Sequence, residues 1–406
     1  MRRARLKLCY HCAHDEDRAA CRLMNRFIPT HRPALGADEL SAVADVFESG
    51  WLGPGASTAA FEQELQKRLD VPHVVAVSSG TAALHLALEA LDLPPGSGVL
   101  VPSLTFVATV QAILAAGLRP IFCEVDPHTL QLDVDDGLQR LSVARRLGHR
   151  ASAVMPVHFG GAAGDLEGLV DLAAQHGLAV IEDAAHAFGS FRQGRALGTF
   201  GTAGCFSFDP IKNITCGEGG AIATSQDGLA ARVRRSRALG ISADGWSRHT
   251  GATSWMYSVE GRGWRSHLPN MNAAIGLAQL ARFPDIRSRR QAIVVHYDAA
   301  LADLETITRV TRPQPDVCPF TYTIRVHDGR RDRLMAHLLA EGIGTSVEYI
   351  PNHLQPAFQA FHTPLPVTER LFGEILSLPL HPELTDSDVA RVIETTTLHL
   401  TALPAS

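Results

Sequence analysis

The chain has 406 residues, of which 46% are hydrophobic and 19% are charged, and its formal net charge at pH 7 is −5. That length predicts two domains with a large core, and the mixed, slightly acidic charge offers no basic surface for a nucleic acid. No apolar run approaches the roughly 20 residues of a membrane span, so no membrane partner is expected.

The first 25 residues contain a small set of metal-ligating side chains: Cys9, His11, Cys12, His14 and Cys21. A zinc knuckle is one interpretation, but no second ligand pair with finger-like spacing follows, so no metal is predicted. The segment also lacks the continuous apolar core of an export signal. We interpret residues 1–25 as a disordered extension, or as the result of an upstream start codon with Met24 as the functional start.

From Leu40 to about Gln279, helical patterns alternate with short apolar segments. Seven of these segments predict strands: HVVAVSS, GVLVPS, RPIFCEV, ASAVMPV, LAVIEDA, GCFSF and GGAIATS. The alternation is typical of a mainly parallel sheet covered by helices on both faces. We therefore predict a large α/β domain over residues 26–282, which opens with the amphipathic helix of HRPALGADELSAVADVFESG.

The remaining residues, 283–406, have a different pattern. The helical segment IRSRRQAIVVHYDAALADL leads into YTIRV, RDRLMAHLLAEGI, GTSVEYI and a closing helix after LTDSD. This predicts a smaller C-terminal α+β domain packed tightly against the large one.

A strand, a turn and a helix follow one another in VVAVSSGTAALHLAL. The start of the helix offers free backbone N–H groups, Gly80 lets an anion approach, and Ser79 and Thr81 add hydroxyls. The turn therefore predicts a phosphate site, with an ordinary serine helix cap as the alternative.

Lys212 lies between an apolar strand and a glycine run in CFSFDPIKNITCGEGG. About thirty residues upstream, GLAVIEDAAHAFG predicts a buried strand that brings Glu182 and Asp183 to its C-terminal end, where open α/β sheets bind ligands. A lysine alone is weak evidence, since most lysines lie on the surface and pair with carboxylates. Together with the phosphate site and the acid, Lys212 indicates an amine presented to an aldehyde cofactor.

These motifs, in this order, resemble the DegT/DnrJ/EryC1/StrS sugar aminotransferases, which are fold-type I pyridoxal-phosphate enzymes. The resemblance runs from about Arg26 to about Leu398 and includes these segments: GWLGPG, SSGTAALHLAL, VPSLTFVAT, PVHFGG, EDAAHAFGS, CFSFDPIKNITCGEGG, LPNMNAAIGLAQL, IPNHLQP and EILSLPLHPELTD. It implies pyridoxal 5′-phosphate as the cofactor. It also implies ping-pong transfer of an amino group from L-glutamate to a nucleotide-linked keto sugar, typically a 4-keto-6-deoxyhexose, in amino-sugar biosynthesis.

The resemblance assigns the two catalytic residues. Lys212 is expected to bind the cofactor aldehyde as an imine and, once released, to shuttle a proton, which requires a neutral amine of lowered pKa. Asp183 is expected to hydrogen-bond the pyridine nitrogen and keep it protonated. A helix N-cap after the strand is the alternative role for Asp183.

The resemblance also assigns cofactor contacts. Gly80, Thr81 and Ser207, the last of these five residues before Lys212, are placed around the phosphate. Phe106 is placed on the cofactor ring, with a core position as the alternative. His186 stands where many relatives have Gln, and a hydrogen bond to the phenolic oxygen is implied.

Three further residues are assigned near the site. Many relatives carry an Asn that reaches the phosphate of the neighbouring subunit, and the alignment of GRGWRSHLPNMNAAIG puts Arg265 in that place. A guanidinium suits a phosphate dianion, so we expect Arg265 to act across a homodimer with two composite active sites. His353 and Trp51 are expected near the sugar substrate, with a loop histidine as the alternative for His353.

Other functions remain open within the resemblance. The 3-keto sugars and keto-cyclitols of antibiotic pathways are close rival acceptors. Relatives that dehydrate the sugar replace the catalytic lysine by histidine, so Lys212 argues against deoxygenation. A regulator that only binds the cofactor or a sugar is the non-catalytic alternative, against which the intact Lys212, Asp183 and Ser207 argue.

Four later cysteines have no regular spacing: Cys123, Cys205, Cys216 and Cys318. They suit reduced thiols in a cytoplasmic protein, and no disulfides are predicted.

Overall fold

The structure is a computed structural model that describes residues 27–241, 257–311 and 314–402. The predicted extension over residues 1–25 and Met24 lie outside the described residues. Within the described residues, no helix is long and apolar enough to cross a membrane. The same residues contain no group of three or more acidic, histidine or cysteine side chains that could hold a metal ion.

The first nine strands are β1 (His73–Val77), β2 (Gly98–Pro102), β3 (Arg119–Cys123), β4 (Ala151–Val154), β5 (Ala179–Asp183), β6 (Phe191–Arg192), β7 (Arg195–Ala196), β8 (Ala203–Ser207) and β9 (Gly220–Thr224). Seven of them form one sheet in the order β1-β9-β8-β5-β4-β2-β3, and β6 and β7 pair separately. Within the large sheet, β9 runs antiparallel to both of its neighbours and the other pairs are parallel. All seven predicted strands are present, and the predicted mainly parallel fold is confirmed.

The helices of this part are α1 (Ala37–Ser49), α2 (Ala56–Leu69), α3 (Gly80–Ala90), α4 (Val107–Ala115), α5 (Val134–Arg146), α6 (Leu166–His176) and α7 (Asp227–Ser236). Three of them begin at a side-chain cap, because Ser79, Asp133 and Asp165 each accept a hydrogen bond from a backbone N–H in the first turn. The continuous apolar runs of the central strands are buried, as a sheet covered on both faces requires.

The C-terminal part contains α8 (Asn270–Ala300), β10 (Ile307–Arg309), β11 (Tyr322–Val326), α9 (Arg331–Ala340), α10 (Pro366–Glu374), β12 (Ile375–Leu378) and α11 (Asp386–Ala402), with short 3₁₀ turns at Asn352–Leu354 and Pro356–Phe361. A third 3₁₀ turn, Phe159–Gly161, lies between β4 and α6. Its strands form an antiparallel sheet in the order β10-β11-β12. The segment GTSVEYI contributes only the isolated bridge between Ser346 and Ser377. This smaller sheet has a hydrophobic core of its own.

The predicted domain boundary at residues 282/283 falls inside α8, a continuous helix of 31 residues. Pro284 lies at this point, and it lacks the N–H that would bond the carbonyl four residues earlier. That carbonyl, on Leu280, accepts instead from Nη2 of Arg68 in α2, at 2.9 Å. The helix therefore continues through the boundary, and the division into two domains stays a prediction.

Candidate active site

Seven of the ten predicted site residues line one cavity of about 210 Å³ at the C-terminal ends of the central strands: Gly80, Thr81, Phe106, Asp183, His186, Ser207 and Lys212. We call it the Lys212 cavity. The side chains come from elements that are distant in the sequence, namely the start of α3, the start of α4, and the segments that follow β5 and β8. Parallel strands bring them together, because their C-terminal ends meet at one edge of the sheet.

Lys212 lies in the turn after β8 and is partly buried. Burial lowers the pKa of its amine to about 8, although Asp209, Asp183 and Glu348 oppose this change. Its Nζ atom lies 4.4 Å from the centroid of the Phe320 ring. A substantial fraction of the amine is therefore neutral near physiological pH, which is the form that attacks an aldehyde.

Asp183 is the last residue of β5 and is buried. Its Oδ2 accepts a hydrogen bond of 2.8 Å from the hydroxyl of Thr109, and its Oδ1 accepts one of 3.2 Å from the N–H of Ala185. Burial raises the pKa of the carboxyl, whereas these hydrogen bonds lower it. The chain after β5 forms turns and no helix, so the alternative role of Asp183 as a helix cap is wrong.

The start of α3 has the geometry of an anion cradle. Ser79 is the helix cap, because its Oγ accepts from the N–H of Ala82 at 3.1 Å, so the capping alternative is correct for this serine. Gly80 and Thr81 are the first two residues of α3. Their N–H groups therefore have no acceptor within the helix. A Cβ at Gly80 would lie 2.7 Å from the Cβ of Ser207, and glycine is therefore required for this close approach.

His186 is surrounded by aromatic rings. Its ring stacks on Phe320 at a centroid distance of 4.1 Å, and its Nε2 lies 3.1 Å from the hydroxyl of Tyr349. Burial holds the pKa of His186 well below its usual value, so the ring is neutral. Its buried Nδ1 has no hydrogen-bond partner among the described residues. Phe106 is 54% exposed and faces the cavity, so the alternative of a core position is wrong.

Three predicted site residues do not line the Lys212 cavity. Trp51 and Arg265 line a second cavity, which we call the Trp51 cavity and which shares no lining residue with the Lys212 cavity. His353 is fully buried, with Nδ1 at 2.7 Å from Ser103 Oγ and Nε2 at 3.2 Å from Glu369. It does not line the Lys212 cavity but lies in the short turn Asn352–Leu354, where its contacts with Ser103 fix the loop that precedes Phe106.

Two residues of the site were missed from the sequence. Thr109 lies three positions after Phe106, which is about one helical turn. This spacing places both residues on the same side of α4 and could have indicated Thr109 as a site residue. Tyr349 directly precedes the segment IPNHLQP. Glu182, by contrast, has a structural role, because its buried carboxylate accepts from the N–H groups of Gly198 and Gly201 at 2.8 and 2.6 Å.

The residues present fit a phosphorylated aldehyde cofactor. The cradle at Gly80 suits the phosphate, the orphan Nδ1 of His186 leaves one buried polar atom for a ligand, and Lys212 and Asp183 line the same cavity. This fold and site define the class of fold-type I pyridoxal-phosphate aminotransferases.

Comparison with known proteins identifies the family within that class. Residues 33–397 match the DegT/DnrJ/EryC1/StrS aminotransferase family, and the chain belongs to it. The cofactor is pyridoxal 5′-phosphate, and the activity is that of a sugar aminotransferase.

Solved structures agree with this assignment. The chain is 37% identical to the aminotransferase TlmJ from Streptoalloteichus hindustanus, covering 93% of this chain and 100% of that one with a TM-score of 0.85. The sugar aminotransferase CalS13 from Micromonospora echinospora is 34% identical over 91% of this chain and 99% of its own, with a TM-score of 0.81. DesV of S. venezuelae, solved in complex with a ketimine intermediate, is 33% identical over 95% and 98% of the two chains, with a TM-score of 0.81.

Proposed function

We propose that this protein transfers the amino group of L-glutamate to a nucleotide-linked 4-keto-6-deoxyhexose, and that it works as a homodimer with two composite active sites. The observation that carries the proposal is the Lys212 cavity, where an amine of lowered pKa and a buried carboxylate lie together beside an anion cradle. The sugar class is that of the family and of CalS13. The keto position and the nucleotide follow the commonest acceptors of the family.

The charges of the side chains that line the Lys212 cavity support the proposed dimer. Among the described residues that line the Lys212 cavity, Lys212 is the only cationic side chain, and Asp183, Asp209 and Glu218 carry carboxyls. A phosphate dianion would therefore enter a cavity without a countercharge of its own, since the one cation is required for the imine. Arg265 of the partner subunit would supply that charge, and a guanidinium binds phosphate well.

When bound, the cofactor supplies an electron sink for the carbanion formed at the donor's α-carbon. Asp183 would hold a proton on the ring nitrogen, with its carboxylate oriented by Thr109. Phe106 would cover one face of the ring, and His186 would donate or accept at the phenolic oxygen. In the first half-reaction, the freed Nζ of Lys212 would move a proton from the donor's α-carbon to the C4′ carbon of the cofactor. In the second, it would move a proton from C4′ to the carbon of the acceptor that receives the amino group, and the two half-reactions together would follow ping-pong kinetics.

Absorption spectra test the donor, and the addition of different keto sugars tests the acceptor. Absorption spectra of the protein with pyridoxal phosphate, recorded before and after excess L-glutamate, test the first half-reaction by loss of the lysine-bound cofactor band and growth of the band of its amine form. Keto sugars are then added in turn, including 3-keto sugars and keto-cyclitols as alternatives. A lysine-bound band that ignores glutamate would contradict the proposed donor. In Lys212→Ala we expect a folded dimer that binds the cofactor without that band, and turnover in this variant would contradict the lysine assignment.

We place the reaction in the cytoplasm. The four cysteines among the described residues, Cys123, Cys205, Cys216 and Cys318, are all buried and unpaired, which suits a reducing compartment.

A further inference from the structure

The Trp51 cavity contains no group that can do amine chemistry. Among the residues that line it, the cations are Arg237 and Arg265, and no lysine is present. Arg237 is engaged by the carboxylate of Glu62 and by the carbonyl of Ala76. Arg265 is exposed and has no ion pair among the described residues. Within the part of the chain that the structure describes, the cavity therefore has a guanidinium without an ion pair, but it has no group that could carry out the reaction by itself.

Trp51 has a fixed orientation in this cavity. Its indole Nε1 donates to the carbonyl of Pro54 at 2.8 Å, and its own carbonyl accepts from Asn270 Nδ2 at 3.1 Å. A Cβ at Gly55 would lie 2.9 Å from the indole, so the sequence leaves room for the ring by placing glycine there. The indole is only partly buried. A preset, partly exposed aromatic face is suited to a ligand with a flat or apolar surface.

The surroundings of the cavity are apolar and uncovered. Leu239, which lines the cavity, is 43% exposed, and Leu52, next to Trp51, is 42% exposed. Val259 pairs with Ile241 of the cavity wall and is 64% exposed. Large exposed side chains around one charged cavity are typical of a surface that another chain covers.

The segment of residues 265–267 runs along the Trp51 cavity. Residues 265 and 267 both line the Trp51 cavity, and the carbonyl of Ser266 between them accepts from the N–H of Ser78, at 2.8 Å, beside the anion cradle. In an extended segment, side chains two positions apart lie on the same face. Arg265 thus faces the Trp51 cavity, whose lining residues are all different from those of the Lys212 cavity.

We infer that Trp51 acts in trans: it forms a wall of the partner subunit's active site, against which the nucleotide-linked sugar packs. This inference rests on the proposed function, because Arg265 completes the phosphate site of the partner and Trp51 lines the same cavity as Arg265. The occupant is therefore a second copy of this chain, which brings the Lys212 cavity with its bound substrate to this surface. Trp51 belongs to one active site and Lys212 of the same chain belongs to the other.

Hybrid dimers test the assignment. Chains with Trp51→Ala and chains with Lys212→Ala carry different affinity tags, are dissociated and reassociated together, and the doubly tagged dimers are isolated. If Trp51 acts in trans, one site of the hybrid carries both lesions and the other carries neither. We then expect about half of the wild-type rate per dimer, with the wild-type KM for the keto sugar. If Trp51 acts in cis, neither site is intact.

Two matched hybrids calibrate the result. Phe106→Leu paired with Lys212→Ala should leave no intact site, because Phe106 and Lys212 line the same cavity of one chain. Arg265→Ala paired with Lys212→Ala should recover half of the wild-type rate if the composite site exists. In homodimers, Trp51→Ala should lower kcat/KM for the sugar by about tenfold, more than it lowers the glutamate half-reaction. Trp51→Leu serves as the second variant if the alanine chain does not fold.

The outcomes separate the two proposals. Recovery with Trp51→Ala supports the inference. Recovery with Arg265→Ala but not with Trp51→Ala overturns the trans role of Trp51 and leaves the composite site standing. No recovery with either variant overturns both the inference and the proposed composite active site, whereas the glutamate spectrum tests the aminotransferase chemistry separately.

Discussion

Thr109→Val should change the proton affinity of Asp183 without reshaping the site. Thr109 donates to Oδ2 of Asp183 at 2.8 Å, and its own oxygen lies 2.8 Å from the hydroxyl of Thr105. Since Thr109 gives its proton to the carboxylate, Thr105 must donate to Thr109. A hydrogen bond to a charged group contributes about 1.5–3 kcal/mol, which corresponds to about a tenfold to hundredfold change in proton affinity.

The sign of the change follows from the burial of Asp183. Burial already raises the pKa of this carboxyl, and the Thr109 hydrogen bond lowers it. Valine removes the opposing contribution, so Asp183 should become protonated at higher pH than in the wild type. A protonated Asp183 cannot hold a charge-assisted proton on the cofactor nitrogen, and the rate should fall.

The assay is the rate of the glutamate half-reaction, followed by absorbance as a function of pH. In Thr109→Val the acid limb of the profile should move to higher pH, while the limb set by Lys212 stays in place. Thr109→Ser keeps the hydroxyl and is the matched control. An acid limb that does not move in a folded, cofactor-loaded Thr109→Val protein would refute the reasoning.

Three further predictions concern the cradle, the amine and the sheet. The rate at which the apoprotein takes up pyridoxal phosphate should rise with pH, with an inflection near the lowered pKa of Lys212, about 8. An inflection near 10.5, the ordinary pKa of a lysine, would contradict this prediction. Gly80→Ala should weaken cofactor binding in absorbance titrations, because its Cβ would lie 2.7 Å from Ser207, whereas Gly228→Ala, with space around its Cβ, should not. Glu182→Gln should lower the free energy of unfolding by about 1–3 kcal/mol in urea titrations, since a buried carboxylate loses charge-assisted hydrogen bonds; an unchanged midpoint would argue against its structural role.

The central sheet was predictable because its strands are short, continuous apolar runs bounded by turn residues. β10 and β12 were not predicted, since each has at most four residues and is stabilised by pairing with β11. The continuity of α8 through Pro284 could not be predicted either, because proline favours a break. A side chain from α2, distant in the sequence, supplies the missing hydrogen bond.

The site was predictable where local motifs bring its residues together. Asp183 ends a strand, Gly80 begins a helix and Lys212 lies in the turn after β8, so their positions follow from the sheet. Thr109 ends the motif VPSLTFVAT and Tyr349 directly precedes IPNHLQP, but their roles depend on contacts across the fold, with Asp183 and His186. The sequence likewise placed Trp51 near an active site without indicating which chain it serves.

The hydrogen bond from Arg68 to the carbonyl of Leu280 also limits how this enzyme can move. Proline is where a long helix bends most easily, and here that point coincides with the predicted junction of the two parts of the chain. Bending there would separate the guanidinium of Arg68 from the carbonyl it now satisfies. Hinge opening is thus resisted, and Glu348 and Tyr349 from the C-terminal part stay beside Lys212 and His186. With the scaffold held in this way, acceptor preference should be open to redesign by exchange of surface loops.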